Sequence, residues 1–228
     1  MIDFVAIGPP KSGTTFLQNI LVQHPGIFLS EKKEIQFFNH YYDKGIDWYH
    51  KHFQDKQDNE IAGEISPTYC DSLQTLQRIK EYAEEYRKYD FKIIITYRDP
   101  LKRLISEYHH NIRRSNYDMS IKQAIDAELN SGKNDKYYKI LRNSKYNEIT
   151  EDVYSLFDRE NVLCLNAEKE LYNKKNLKST IEKIEKFLSV SSFSNYNFEV
   201  DDNSSYTPKS YLLQKVLYQE NIIKQISK

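Results

Sequence analysis

Asp3-Phe4-Val5-Ala6-Ile7-Gly8 runs straight into Pro9-Pro10-Lys11-Ser12-Gly13-Thr14-Thr15. The first six residues are a short apolar run of β-branched and aromatic type closed by Gly-Pro-Pro, which predicts a buried strand. Beyond Thr14, the residues Phe16, Leu17, Ile20 and Leu21 recur at helical spacing until His24-Pro25-Gly26 stops the pattern, so a helix over 14–23 is expected. Strand, glycine-containing loop and helix in that order leave free backbone amides and the positive end of the helix dipole around Lys11 to Thr15. A phosphate-like anion is the natural guest of such a loop. The spacing approaches GxxxxGK[ST], but Thr14 stands at the lysine position and Lys11 comes two residues before the second glycine.

Reading outward, residues 60–64 form a short strand candidate, and 71–86 carry Leu73, Leu76, Ile79, Tyr82, Ala83 and Tyr86 on one helical face. KIIITY at 92–97 is the clearest buried strand, and Asp99-Pro100 behind it predicts a helix over 101–114. A further core strand is expected at 161–165, with helices at 145–157, 177–188 and 211–226 and an irregular stretch at 195–210. Strands alternating with helices imply parallel pairing through right-handed crossovers. The expectation is a three-layer α/β fold of the P-loop-like nucleotide-binding kind, a mainly parallel central sheet with helices on both faces, as a single domain over 1–228. In such sheets ligands sit at the carboxyl ends of the strands, so the loops after Gly8, Glu64 and Tyr97 should converge.

Composition narrows the function classes. The 228 residues carry 33 basic and 33 acidic side chains, with 39% hydrophobic and 29% charged, a globular balance with no net positive field to suggest a nucleic-acid partner. No apolar run reaches the roughly 18 residues of a membrane helix, and the N-terminus has no secretory pattern. Cys70 and Cys164 are far apart and show neither a disulfide framework nor zinc spacing. A cytoplasmic protein without an integral membrane segment is expected.

The stretch 97–114, YRDPLKRLISEYHHNIRR, sets five Arg or Lys and two His against two acids. Arg98 leaves the carboxyl end of the best strand and Ser106 follows two helical turns on, so a guanidinium fork and a hydroxyl could share one phosphate. No strand ends in an acid suited to hold magnesium, since KIIITY runs into Arg98. A metal-free reaction on an anionic substrate is expected.

Lys11-Ser12-Gly13-Thr14-Thr15 after the first strand, with Arg98 and Ser106 eight apart after a buried strand, resembles the two nucleotide signatures of sulfotransferases that use 3'-phosphoadenosine 5'-phosphosulfate. Glu34-Ile35-Gln36-Phe37-Phe38-Asn39, then Tyr42 and Lys44-Gly45-Ile46-Asp47-Trp48-Tyr49, is similar to the sulfotransferase domain of heparan sulfate N-deacetylase/N-sulfotransferases and to the related 3-O-sulfotransferases. Ser106-x-Tyr108-x-His110 matches the same family. The likeness runs from about residue 3 to about 115.

The resemblance implies that Lys11 serves the bridging oxygen and the departing 5'-phosphate, with Ser12, Gly13, Thr14 and Thr15 donating to the phosphosulfate. It gives the 3'-phosphate to Arg98 and Ser106, makes Glu34 the general base toward an amine or hydroxyl acceptor on a glycan or other small molecule, and lets His110 assist the transfer. Adenosine 3',5'-bisphosphate would be the product. Two departures stand out. Ile65 occupies the place of a lysine used by the glycosaminoglycan enzymes, and Asn203 to Lys209 replaces their late, disulfide-closed nucleotide loop, leaving Lys209 as the substitute cation. Two other readings remain open: a nucleotide- or polyanion-binding module without turnover, and a P-loop small-molecule kinase, which would need magnesium and a lysine beside Thr15.

Overall fold

The computed structural model describes residues 1–87, 90–114, 116–130 and 139–199. They fall into two compact units, one made of Met1–Arg98 with the segment from Tyr146 onward, the other of Asp99–Lys145. In chain order the strands are β1 (Phe4–Ile7), β2 (Ile27–Leu29), β3 (Ile61–Ile65), β4 (Lys92–Tyr97) and β5 (Val162–Asn166). The helices are α1 (Thr14–Leu21), α2 (Phe37–His40), α3 (Ile46–His50), α4 (Leu73–Tyr86), α5 (Pro100–Arg113), α6 (Ile121–Asn130), α7 (Tyr146–Leu156) and α8 (Lys174–Phe187).

All five strands belong to the first unit and pair in parallel in the order β2-β3-β1-β4-β5. Alternation along each strand divides the core. Val5, Ile7, Ile93 and Ile95 face a cluster that includes Leu76 and Ile79 of α4 and Ile149 and Val153 of α7. Phe4, Ala6 and Ile94 face the opposite side, with Leu17 and Leu21 of α1 and Ile184 of α8. Each such side chain contributes about 1.5–3 kcal/mol on full burial, so the period-two pattern fixes the register strongly. Phe4 pairs with Gly63, and a Cβ at Gly63 would come within 2.1 Å of the Phe4 ring. Only glycine admits the ring there.

The three-layer parallel α/β fold expected from the sequence is the one observed. Strand 60–64 is displaced by one residue to Ile61–Ile65, and the helix ends differ by one to three residues. The edge strand β2 was not expected, because three residues directly after a Pro-Gly stop show no alternation to read. The aromatic-rich segment after it forms the short helices α2 and α3. The helix expected over 211–226 and most of the irregular stretch 195–210 lie outside the described residues.

The crossover from β1 leads to the β2 edge, whereas β4 leads toward β5. The carboxyl ends of the adjacent strands β1 and β4 therefore mark the point where the strand order reverses, the usual place for a ligand in an open parallel sheet.

The second unit is built on α5, α6 and the segment 139–145. Asp99 caps α5 by accepting from the Lys102 amide at 2.8 Å, with Pro100 in the first turn. Leu104, Tyr108 and Ile112 share an apolar cluster with Tyr117, Ala124 and Ile140. The wholly buried Arg103 guanidinium pairs with Glu107 one turn on and donates to Ser144 Oγ at 3.0 Å and to the Ile140 carbonyl. Asn143 donates to the same carboxylate at 3.2 Å, so a buried charge pair is satisfied on several sides.

Candidate active site

The loop between β1 and α1 is held open by its own backbone. Gly13 caps α1 at φ 102 with no side-chain cap, which leaves the first-turn amides of the helix turned outward. Lys11 is half-buried at φ 73, a left-handed conformation that a lysine adopts only under constraint. Part of that constraint is Ser12, which is fully buried, shares a 2.9 Å hydrogen bond with Thr96 Oγ1 of β4 and donates its amide to the Pro9 carbonyl at 3.1 Å. With its amide and its hydroxyl both engaged inside the protein, Ser12 shapes the loop. A Cβ on Gly8 would lie 2.5 Å from the Thr96 carbonyl oxygen, so β1 leaves the sheet past β4 only because Gly8 has no side chain. Thr14 is buried in the first turn of α1, and Thr15 beside it is half-buried.

Arg98 sits against this loop. Its guanidinium donates to the Lys11 carbonyl at 3.4 Å and pairs with Glu168 at 3.1 Å, beyond β5. It also lies 5.8 Å from the ring of Tyr172, which meets Phe16 of α1 edge-on at 5.6 Å. About a quarter of each partner in the Arg98–Glu168 pair is exposed, and such pairs contribute only about 0–1 kcal/mol. A phosphate could redirect the fork at small cost. The loops after Gly8 and Tyr97 thus meet.

The loop after Glu64 converges by a different route. Glu34 and Gln36 both have left-handed backbones, φ 55 and 59, on either side of the fully buried Ile35. The Gln36 amide donates to Glu64 at 3.1 Å. Glu64, next to last in β3, is almost wholly buried and accepts from Tyr49 at 2.6 Å, from Tyr69 at 2.8 and 2.9 Å, and from Ser66 at 2.5 Å. Burial pushes its carboxyl above the ordinary range while these donors pull it back. Burial and the neighbouring carboxylate push both phenols well up.

Glu34 lines a narrow cleft with Gln18, Ser30, Lys33, Glu64 and Ile65. Gln18 Oε1 is buried, with no hydrogen-bond partner among the described residues. Lys33 donates to Thr15 Oγ1 at 2.7 Å, tying the Glu34 loop to the first turn of α1. Ile65 is 3% exposed and joins the apolar cluster of Leu17, Leu21 and Ile94, so that position brings no cation to the cleft.

Of the residues singled out from sequence, Lys11, Ser12, Gly13, Thr14, Thr15 and Arg98 come together, with Glu34 linked to them through Lys33. Ser106 and His110 are half-buried, one turn apart on α5 in the second unit, and their roles rest on the sequence motif. Lys209 lies outside the described residues. Sequence reasoning passed over Glu64 and gave Lys33 no role of its own. An acid at the end of a core strand, followed by Ser66 and Tyr69, was the available signal for Glu64. Among the described residues no three His, Cys, Asp or Glu cluster as a metal site, and no helix is long and apolar enough to cross a membrane.

The chain is similar to several known proteins. Over 114 residues, 49% of the chain, it is 40% identical to the membrane-associated sulfotransferase kil1 of Dictyostelium discoideum, covering 23% of that protein. Over 110 residues, 48% of the chain, it is 32% identical to human heparan sulfate glucosamine 3-O-sulfotransferase 3B1, covering 27% of it. The matched stretch is therefore about a quarter of each curated relative. The fold of a sulfotransferase from Alicyclobacillus acidocaldarius superposes with a TM-score of 0.74 at 21% identity, over 98% of this chain and 93% of that one. The family model described as a sulfotransferase domain matches residues 2–220, and the chain belongs to that family.

Proposed function

We propose that this chain transfers a sulfuryl group from 3'-phosphoadenosine 5'-phosphosulfate to a hydroxyl or amine of a saccharide. The observation that carries the reading is the hydrogen bond from Lys33 to Thr15, which sets the loop of Glu34 against an anion-binding helix start. The residues present suit the donor: outward first-turn amides, Lys11 in the loop and the Arg98 fork beside it offer two places for anionic groups. When bound, the donor supplies an activated sulfuryl group on a phosphate leaving group.

Glu34 takes the proton of the acceptor nitrogen or oxygen as that atom's lone pair forms the new bond to sulfur. Lys11 meets the electron pair left on the 5'-phosphate oxygen when the old sulfur–oxygen bond breaks. Arg98 binds the 3'-phosphate and fixes the nucleotide in register. Gln18, which lines the cleft and whose Oε1 has no partner among the described residues, is the candidate to accept from an acceptor O–H or N–H. The saccharide assignment draws on the relative named as a heparan sulfate glucosamine 3-O-sulfotransferase.

The test is incubation of labelled donor with a panel of glycans, lipids and phenols, with and without chelator. Label is expected on glycans at rates the chelator leaves unchanged. Label on none of them, or only on phenols and lipids, would overturn the assignment.

A further inference from the structure

Lys32 and Lys33 are neighbours in sequence with opposite surroundings. Lys32 is exposed and lies over the rings of Tyr41 and Trp48, at 5.1 and 5.6 Å. Lys33 turns inward, half-buried, and its ammonium donates to the Thr15 hydroxyl at 2.7 Å. That partner is neutral. Burial pulls the ammonium below its ordinary pKa, and the adjacent Glu34 restores only part of the loss. A cation withdrawn from water toward a hydroxyl is an arrangement that an arriving anion relieves.

Two features say which anion. Thr15 belongs to the first turn of α1, where the helix amides and dipole favour negative charge, so a group held at that turn comes within about one further hydrogen-bond length of Lys33. Lys33 and Glu34 line the same cleft, so the anion in question is the part of the ligand nearest the carboxylate. From these contacts we infer that Lys33 is a further catalytic residue, whose ammonium contacts the sulfuryl oxygens of the donor between Thr15 and Glu34.

This rests on the sulfuryl-transfer reading of the site and adds a role to it. A sulfuryl group is anionic, and it must approach both the Glu34 carboxylate and an incoming lone pair. A cation between them offsets that repulsion where water is scarce and electrostatic interactions are strong. Lys33 keeps its proton throughout. The acceptor's proton goes to Glu34, the new bond forms at sulfur, and the electron pair of the broken sulfur–oxygen bond stays on the 5'-phosphate beside Lys11.

Calorimetric titration of the intact donor and of adenosine 3',5'-bisphosphate, which lacks the sulfuryl group, separates the possibilities. Lys33→Met is expected to weaken the donor by about tenfold or more, the scale of a lost charged hydrogen bond, and the bisphosphate by less than about threefold. Turnover should fall about a hundredfold, with partial recovery in Lys33→Arg. Lys33→Gln, with a polar side chain, supplies the same comparison should the methionine variant fold poorly. Equal weakening of both nucleotides, or no change in either, overturns the role of Lys33 and leaves the transfer reading standing. Wild-type protein that binds neither nucleotide overturns both.

Discussion

Glu64 accepts the backbone amide of Gln36 at 3.1 Å, which joins the end of β3 to the loop that carries Glu34. Because Gln36 and Glu34 both hold left-handed backbones, the loop is strained, and the strain persists only while the surrounding contacts over-determine it. Ile35 buried between them is one such contact, and the Glu64 carboxylate with its ring of donors is the other.

Tyr49→Phe removes one of those donors and leaves a buried carboxylate short of a hydrogen bond. A loss of about 1–3 kcal/mol is expected, equivalent to a melting-temperature drop of several degrees at this chain length. Thermal melts of the variant beside wild type provide the check, and an unchanged melting temperature would show that the donor is dispensable.

The pH dependence of that contact has a defined sign. Burial raises the folded-state pKa of Glu64 above its ordinary 4.5, so the folded state holds the proton more tightly than the unfolded chain. The resulting stabilisation is full below the unfolded value and is lost as pH rises through the folded value. Relative to Glu64→Gln, wild type should therefore lose stability as pH rises from about 4.5. Denaturant titrations from acid to neutral pH measure this difference, and a wild-type advantage that grows with pH would contradict it.

Gly8→Ala places a methyl group 2.5 Å from the Thr96 carbonyl and 2.8 Å from Ser12 Oγ. Since Ser12 and Thr96 make the buried contact that shapes the loop between β1 and α1, the loop must move. Destabilisation of about 1–3 kcal/mol is expected, with nucleotide affinity reduced by about tenfold or more. A variant with wild-type melting temperature and nucleotide affinity would show that the approach of β1 to β4 is not tight.

Arg98→Ala should weaken adenosine 3',5'-bisphosphate by about tenfold to a hundredfold and adenosine 5'-phosphate by less than about threefold, since only the first carries a 3'-phosphate. Titration of both nucleotides into both proteins decides the point. Equal losses would confine Arg98 to bracing the Lys11 carbonyl.

Much of this was legible in the sequence, for reasons that differ by residue. Phe4 to Ile7 and Ile93 to Ile95 announce buried strands because alternate side chains fill both faces of the sheet. Gly8 and Gly13 mark the loop because they bound it between strand and helix. For Glu64 the nearby Ser66 and Tyr69 were a visible hint, but the contact with Tyr49 was not, since an acid near a strand end looks the same in sequence whether it meets solvent or a buried phenol. The divergent fates of Lys32 and Lys33 were equally hidden, because local sequence does not record which way a loop turns its side chains. The bond of the Ser12 hydroxyl to Thr96 was hidden too, because that partner is 84 residues away.

Glu34 is the group proposed to take the acceptor's proton, and Glu34→Gln tests this directly by measuring turnover and bisphosphate affinity on the same preparation. Turnover reduced by about a hundredfold or more, with affinity within about threefold of wild type, is the expected result. A Glu34→Gln protein that transfers sulfate at the wild-type rate would contradict it.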